Sequence, residues 1–314
     1  MKDFRLLPLT LGFALALTPF AAAHAQTTKK KKPAKRKPAT TQQSFSYQGA
    51  DKIRYKQTPQ GDLCLHVFKP EGWKASDARP GIVFFFGGGW NGGSPGQFEQ
   101  HCNYLASRGM VAITAEYRVK SRHNTSPFEC VKDGKSAIRW TRAHAHELGI
   151  DPNRLAAGGG SAGGHVAAAT GTTKAIEEAD EDKAVSSVPN ALALFNPVYN
   201  NGPGQYGHDR VKARWKEISP AHNIRKGMPP AIVFFGSKDK LVTVETAEAF
   251  RDAMRKAGCK SELHVTAGAG HGWFNYGKDG NQAFIDTVSK MDAFFTDLGW
   301  LEGNPRVETF LGGK

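Results

Sequence analysis

Four short, almost wholly apolar runs narrow the folds open to this chain more than any other feature. They occupy residues 81–86, 111–115, 191–195 and 231–235. Each is strand length, and a strand without polar alternation must be buried on both faces. Helix-length segments separate them. Residues 97–108 read as a helix ended by Gly109. Residues 127–148 read as a long helix with Pro127 in its first turn and Gly149 after it. Residues 244–257 are stopped by Gly258, and residues 283–298 form a closing amphipathic helix. Further strands are expected at 154–158 and 262–266, and residues 53–56 and 63–68 form a hairpin around Gln60-Gly61-Asp62. Strands alternating with helices of this length require crossover connections. The fold class is therefore α/β, with a mostly parallel central sheet flanked by helices. Residues 199–228 are the irregular exception, rich in Gly, Asn and basic side chains between two core strands, and read as a short cap segment.

The first 45 residues do not belong to that core. Lys2 and Arg5 precede an apolar stretch over 6–20, and Ala23-His24-Ala25 has the small-x-small form of a signal-peptidase site. Residues 1–25 are expected to be a signal peptide, so the protein is exported, periplasmic or extracellular, after cleavage near Ala25. Residues 26–45 form a basic linker rich in Lys, Pro and Thr, and 46–314 the folded domain. The formal net charge is +13, and seven positive charges lie within residues 29–37. Basicity is thus largely a property of the tail, which argues against a nucleic-acid-binding face. A solvated spacer and electrostatic contact of 29–37 with an anionic surface are the two readings of that run. The four cysteines, Cys64, Cys102, Cys130 and Cys259, form no C-x-x-C pair. Cys102 and Cys130 are the obvious disulfide candidates, but consecutive crossover helices on opposite sheet faces would hold them apart. His144 and His146 are two apart on a helix and do not share a face, so no metal site and no cofactor is implied.

The chemistry is carried by Gly159-Gly160-Ser161-Ala162-Gly163, which follows an apolar strand and opens a helix-like segment. A serine on a tight strand-to-helix turn presents its hydroxyl above the sheet, beside free backbone N–H groups. The hydroxyl needs a base, and the base needs an orienting acid. Asp239 follows the 231–235 strand through Gly236-Ser237-Lys238, and His271 follows the 262–266 strand through Ala267-Gly268-Ala269-Gly270. Ser161, Asp239 and His271 are the candidate nucleophile, acid and base. Lys238 and Lys240 are expected to help keep Asp239 ionised, and Gly270 and Gly272 to permit an unusual backbone at His271. An oxyanion hole is expected from the N–H groups of Gly88, Gly89 and Ala162, since Phe86-Gly87-Gly88-Gly89-Trp90 follows the first parallel strand. By position alone, Trp90, Asn91, His165, Tyr199 and Trp273 are pocket candidates, His165 alternatively supporting the serine turn. Tyr117 and Arg118 read as braces, and Asp133, Arg139 and Trp140 as packing and surface pairing.

These motifs resemble those of the α/β-hydrolases, in particular the hormone-sensitive-lipase-like esterases close to secreted acetylesterases and feruloyl-esterase-like domains. The resemblance spans about residues 47–298 and rests on the triple glycine of 87–89, Glu116-Tyr117-Arg118, Asp151-Pro152-Asn153-Arg154, the Ser161 turn, Gly236-Ser237-Lys238-Asp239 and Gly270-His271-Gly272-Trp273. It implies the α/β-hydrolase fold and a serine carboxylesterase working through an acyl-enzyme on short, acetyl-type esters, carbohydrate-linked ones among them. Two positions depart from the pattern. Phe86 stands where a histidine usually braces the glycine loop, and Gly160 where an acid usually precedes the serine.

Three other readings compete. Gly158-x-Gly160-x-x-Gly163 and Gly87-x-Gly89-x-x-Gly92 match a dinucleotide fingerprint. Residues 90–95 separate the second set from its helix, and no acid follows the first in the required context, so a nucleotide-binding oxidoreductase is set aside. A peptidase of the prolyl-oligopeptidase type shares the residue order but usually carries a propeller domain for which this chain has no room. A hydrolase fold that binds without cutting is the third.

Overall fold

A computed structural model describes residues 44–313. The expected signal peptide and all but the end of the expected linker lie outside the described residues. The chain forms an eight-stranded sheet in the order β1-β2-β4-β3-β5-β6-β7-β8. The strands are β1 (Ala50–Thr58), β2 (Gly61–Phe68), β3 (Arg79–Phe85), β4 (Val111–Ala115), β5 (Ile150–Gly160), β6 (Ala191–Phe195), β7 (Ala231–Gly236) and β8 (Ser261–Thr266). β1 and β2 form an antiparallel hairpin, and β2 meets β4 antiparallel. From β4 through β3, β5, β6 and β7 to β8 all pairings are parallel. The apolar runs are thus the central strands, and their C-terminal ends lie in register: Phe85 pairs Gly159, Gly160 pairs Phe195, and Phe195 pairs Phe234.

The helices are α1 (Glu99–Ser107), α2 (Lys120–His123), α3 (Pro127–Ala143), α4 (Ala162–Thr172), α5 (His208–Val211), α6 (Val244–Lys256), α7 (Gln282–Asp297) and α8 (Val307–Gly312). α3 starts on a capping box, Ser126 with Glu129, with Pro127 in the first turn. It stops at Ala143 rather than Leu148. Residues 144–149 turn back instead, and Gly149 takes a φ of +64° against the indole of Trp73, where a Cβ would not fit. β5 is longer than expected at both ends, because its first residues pair with Arg79 and its last with Phe195.

Each sheet face has its own core. Val83, Phe85, Leu155, Leu192, Leu194 and Val233 point to the side covered by α3, α4 and α6. Ile82, Phe84, Phe195, Ile232 and Phe234 point to the side covered by α1 and α7. This separates the two cysteines considered as a pair, Cys130 lying in the first core and Cys102 in the second. All four cysteines are buried and free.

Residues 199–228 contain only short helices, none longer than six residues, yet the segment is tied down. Ala221 N–H donates to Tyr199 O at 3.0 Å, and Arg210 donates to the carbonyl of Gly89 on the glycine loop.

Candidate active site

Five strand ends build the site. Ser161 leaves β5 with φ +54° and ψ −119°, a combination that costs a non-glycine residue energy and that the surroundings must impose. They do so by close approach. A Cβ on Gly159 would lie 2.5 Å from the carbonyl oxygen of Gly163, and one on Gly163 would overlap the carbonyl of Phe85. The turn is further fixed by Ser161 N–H to Phe195 O at 2.9 Å and His165 N–H to Ser161 O at 2.9 Å.

Ser161 Oγ stands 2.9 Å from His271 Nε2, and His271 Nδ1 stands 2.7 Å from Asp239 Oδ2. The structure therefore brings together, in one hydrogen-bonded line, three residues far apart in sequence. The Asp239 side chain is fully enclosed, whereas one fifth of the His271 side chain meets solvent. Burial alone would raise the Asp239 carboxyl. The hydrogen bond with His271 and those from the Leu241 and Val242 N–H groups, at 2.8 and 3.1 Å, outweigh it and hold the carboxyl below its ordinary range. Backbone donors and the imidazole, rather than the flanking lysines, are the largest stabilisers of this carboxylate. Ser237 serves the same corner, its Oγ accepting from Gly268 N–H at 2.8 Å while Lys238 N–H donates to Ala269 O at 2.8 Å. The acid and base loops are thereby clasped. Gly236 is required where they touch, because a Cβ there would overlap the Ala269 carbonyl. Of the two glycines beside His271, only Gly272 has a positive φ, +73°.

The glycine loop after β3 lies beside Ser161. Gly88 and Gly89 have φ of +122° and +61°, and Ala162 opens α4, so its N–H has no acceptor within the helix. Phe86 replaces the usual brace with another. Its ring stacks on Tyr117 at 4.2 Å between centroids, and Tyr117 Oη donates to Phe86 O at 2.5 Å. Gln97 adds a second hold: its Oε1 accepts from Gly87 N–H at 2.5 Å, and its Nε2 donates to Asn275 Oδ1 at 2.9 Å. Asn275 in turn donates to Gly272 O at 2.8 Å. A side-chain chain thus runs from the glycine loop to the backbone after His271. Gly160 also acquires a reason. A Cβ there would lie 2.6 Å from the edge of the Phe274 ring, which fills the space that an acid side chain would otherwise take.

Ser161 opens into a cleft of about 740 Å³. Of the five pocket candidates, Asn91 lines it and the other four do not. Trp90 is turned inward, its indole N–H pointing to His165 Nδ1 at 3.3 Å. His165 is wholly buried, with Nε2 3.0 Å from Asn201 Oδ1. Burial pushes its pKa down to about 4, so it is neutral and braces the floor. Tyr199 stacks on Phe250 at 3.8 Å, and Trp273 packs into the second core. Large aromatics after these strands are core, because the inward face there is apolar.

The walls come instead from Asn196, Tyr206, Arg210, Leu241, Phe274 and Lys278. Asn196 could have been found from sequence, since it directly follows β6 and strand ends converge here. Its Nδ2 lies 3.1 Å from His271 Nε2 and 3.3 Å from Nδ1, so the amide packs against the catalytic imidazole. Arg210 lies on the short α5 and the others on loops, whose path no local pattern encodes.

Residues 65–194 match the BD-FAE family, and residues 198–299 match the dienelactone hydrolase family. Esterase 2 of Thermogutta terrifontis, solved phosphonylated by sarin, is 45% identical, with a TM-score of 0.81 over 83% of this chain and 99% of that one. The same organism's esterase with propionate bound is 46% identical, with a TM-score of 0.79 over 82% of this chain and 97% of that one. Among curated proteins, esterase LipC of Mycobacterium tuberculosis is 28% identical over 64% of this chain and 56% of its own length. The chain spans about half the length of the curated relatives it matches.

Proposed function

The chain belongs to the α/β-hydrolase esterases, and from that membership we propose that it is an exported serine carboxylesterase acting on short-acyl, acetyl-type esters, those on carbohydrates included. The observation that carries this reading is the Ser161–His271–Asp239 line, 2.9 and 2.7 Å, beside a loop with unencumbered N–H groups.

Ser161 Oγ attacks the ester carbonyl carbon as its proton passes to His271 Nε2. Asp239 accepts from Nδ1–H and stabilises the imidazolium that forms. The carbonyl oxygen becomes an oxyanion facing the N–H groups of Gly88, Gly89 and Ala162. Collapse expels the alcohol, which takes the proton from Nε2 and leaves an acyl-serine. Water then attacks, His271 accepts its proton, and the carboxylic acid is released with Ser161 restored.

The short-acyl preference is supported by the walls. Among the described residues Leu241 and Phe274 are the only large purely apolar side chains lining the cleft, and the others are glycines, hydroxyls, Tyr206, His271, amides and cations, so no run of aliphatic side chains is there to receive a fatty chain. Propionate and butyrate are bound by the T. terrifontis esterase, which agrees with that scale. Export is supported by the leader pattern over residues 1–25.

The test is an acyl-chain series on one alcohol, from acetate to laurate, alongside acetylated xylan and feruloylated sugars. Highest kcat/KM at two to four carbons is expected. A maximum at eight carbons or beyond would overturn the short-acyl reading.

A further inference from the structure

The cleft beside Ser161 has an uneven charge. Two of its wall residues are cations, Arg210 and Lys278, and among the described residues no carboxylate lines it. Asp239, the acid beside His271, is fully enclosed and committed to it. Asp209 faces a separate small cavity beside Trp90 and Lys120 rather than the cleft, and Asp279 is not a wall residue.

Neither cation is neutralised by a carboxylate among the described residues. Arg210 donates to the carbonyl of Gly89, and its guanidinium lies 5.6 Å from the Trp90 ring and 5.7 Å from the Tyr206 ring. These contacts orient the group without cancelling its charge. Lys278 Nζ makes no hydrogen bond or ion pair among the described residues and stands 3.8 Å from the point where a Cβ on Gly272 would be. It therefore flanks the loop that carries His271.

That position identifies a part of the substrate. His271 must deliver its proton to the ester oxygen, so the alcohol leaves along the His271 side of the cleft, past Lys278. Resting on the esterase reading above, we propose that the preferred substrates are esters whose alcohol part carries a carboxylate, such as an acylated sugar acid. Lys278 attracts that carboxylate, and Arg210 adds positive potential from beside the glycine loop. Both cations are exposed, so the interaction is of the screened, surface kind.

The experiment compares 4-acetoxyphenylacetate with 4-acetoxyphenylacetamide. The two share an acyl group and, through the insulating methylene, a similar leaving phenol, and differ by one charge. At low salt the anion is expected to have a kcat/KM about fivefold above that of the amide, the size of one ion pair near 4 Å in water. The ratio should fall toward one in 1 M salt, where the screening length is about 3 Å. In Lys278→Gln the ratio should shrink to about two, and in Lys278→Glu it should drop below one. The within-variant ratio cancels general losses of activity. A wild-type ratio at or below one, or a ratio that Lys278→Glu leaves unmoved, overturns the inference while leaving esterase activity on the amide intact. Failure to hydrolyse either compound would instead remove the esterase reading itself.

Discussion

The floor of the site and its rim are built by different means. The floor, from Gly159 to Gly163 and across to the glycine loop, is backbone packed on backbone, and Gly159 and Gly163 leave no room for a Cβ. The rim is made of side chains such as Tyr206 and Arg210 from the 199–228 segment and Leu241 and Lys278 from the stretches after β7 and β8, with Arg210, Leu241 and Lys278 exposed. The difference separates two tasks. Geometry that must hold to a fraction of an ångström is assigned to strand ends, where neighbouring carbonyls dictate the path. Selectivity is left to side chains that can change without disturbing that path.

Breaking the floor should therefore cost far more than altering the rim. Ser161→Ala should lower kcat/KM on a short-acyl ester by at least about ten-thousand-fold, with the fold retained. Asp239→Asn should lower kcat by about a thousandfold or more, because it leaves the imidazole without its carboxylate partner. The same substitution has a signature in stability. The folded carboxyl is held below its ordinary range, so its contribution is complete above the unfolded value of about 3.9 and is lost as pH falls through the folded one. Wild type should thus lose more stability than Asp239→Asn as pH is lowered below about 4, as denaturant titrations at stepped pH would show.

Gln97→Ala cuts the connection between the glycine loop and Asn275, and should lower kcat by about ten- to a hundredfold with a smaller change in KM. Gly160→Ala should destabilise by about 1–3 kcal/mol through overlap with Phe274, and pairing it with Phe274→Leu should recover part of that loss. At the small end, Leu241→Ala should change kcat by no more than about threefold while shifting preference toward longer acyl groups, read from the same chain series. A rim substitution that matched Gln97→Ala in its effect on kcat would erase the distinction between the two regions.

The floor was also the legible part. Ser161, Asp239 and His271 each follow a strand, and the parallel sheet implied by those strands already places their ends side by side. The hairpin, the parallel core strands and the helices expected from Pro127, Val244 and Ala283 were readable for the same reason, since burial writes either a period or an unbroken apolar run into the sequence. What supports the floor was hidden. Gln97 sits just before α1 and looks like any polar residue there; only the tertiary path of the glycine loop brings Gly87 onto it. Phe86 and Gly160 looked like losses from the family pattern, and the structure shows substitutes for both: the Tyr117 stack in one case, the Phe274 ring in the other. The rim was misjudged in a consistent way. Trp90, His165, Tyr199 and Trp273 are near the site in sequence, but apolar burial draws their rings inward, and the polar or charged residues of distant loops take the exposed wall.

The central claim is that Ser161 is an activated nucleophile, and active-site titration addresses it most directly. The protein is treated with a fluorophosphonate, and the modified peptide is mapped by mass spectrometry. A single adduct on Ser161 is expected, absent in Ser161→Ala and formed far more slowly in His271→Ala. A folded protein that takes no adduct on Ser161, or one whose labelling survives in Ser161→Ala, would contradict the account.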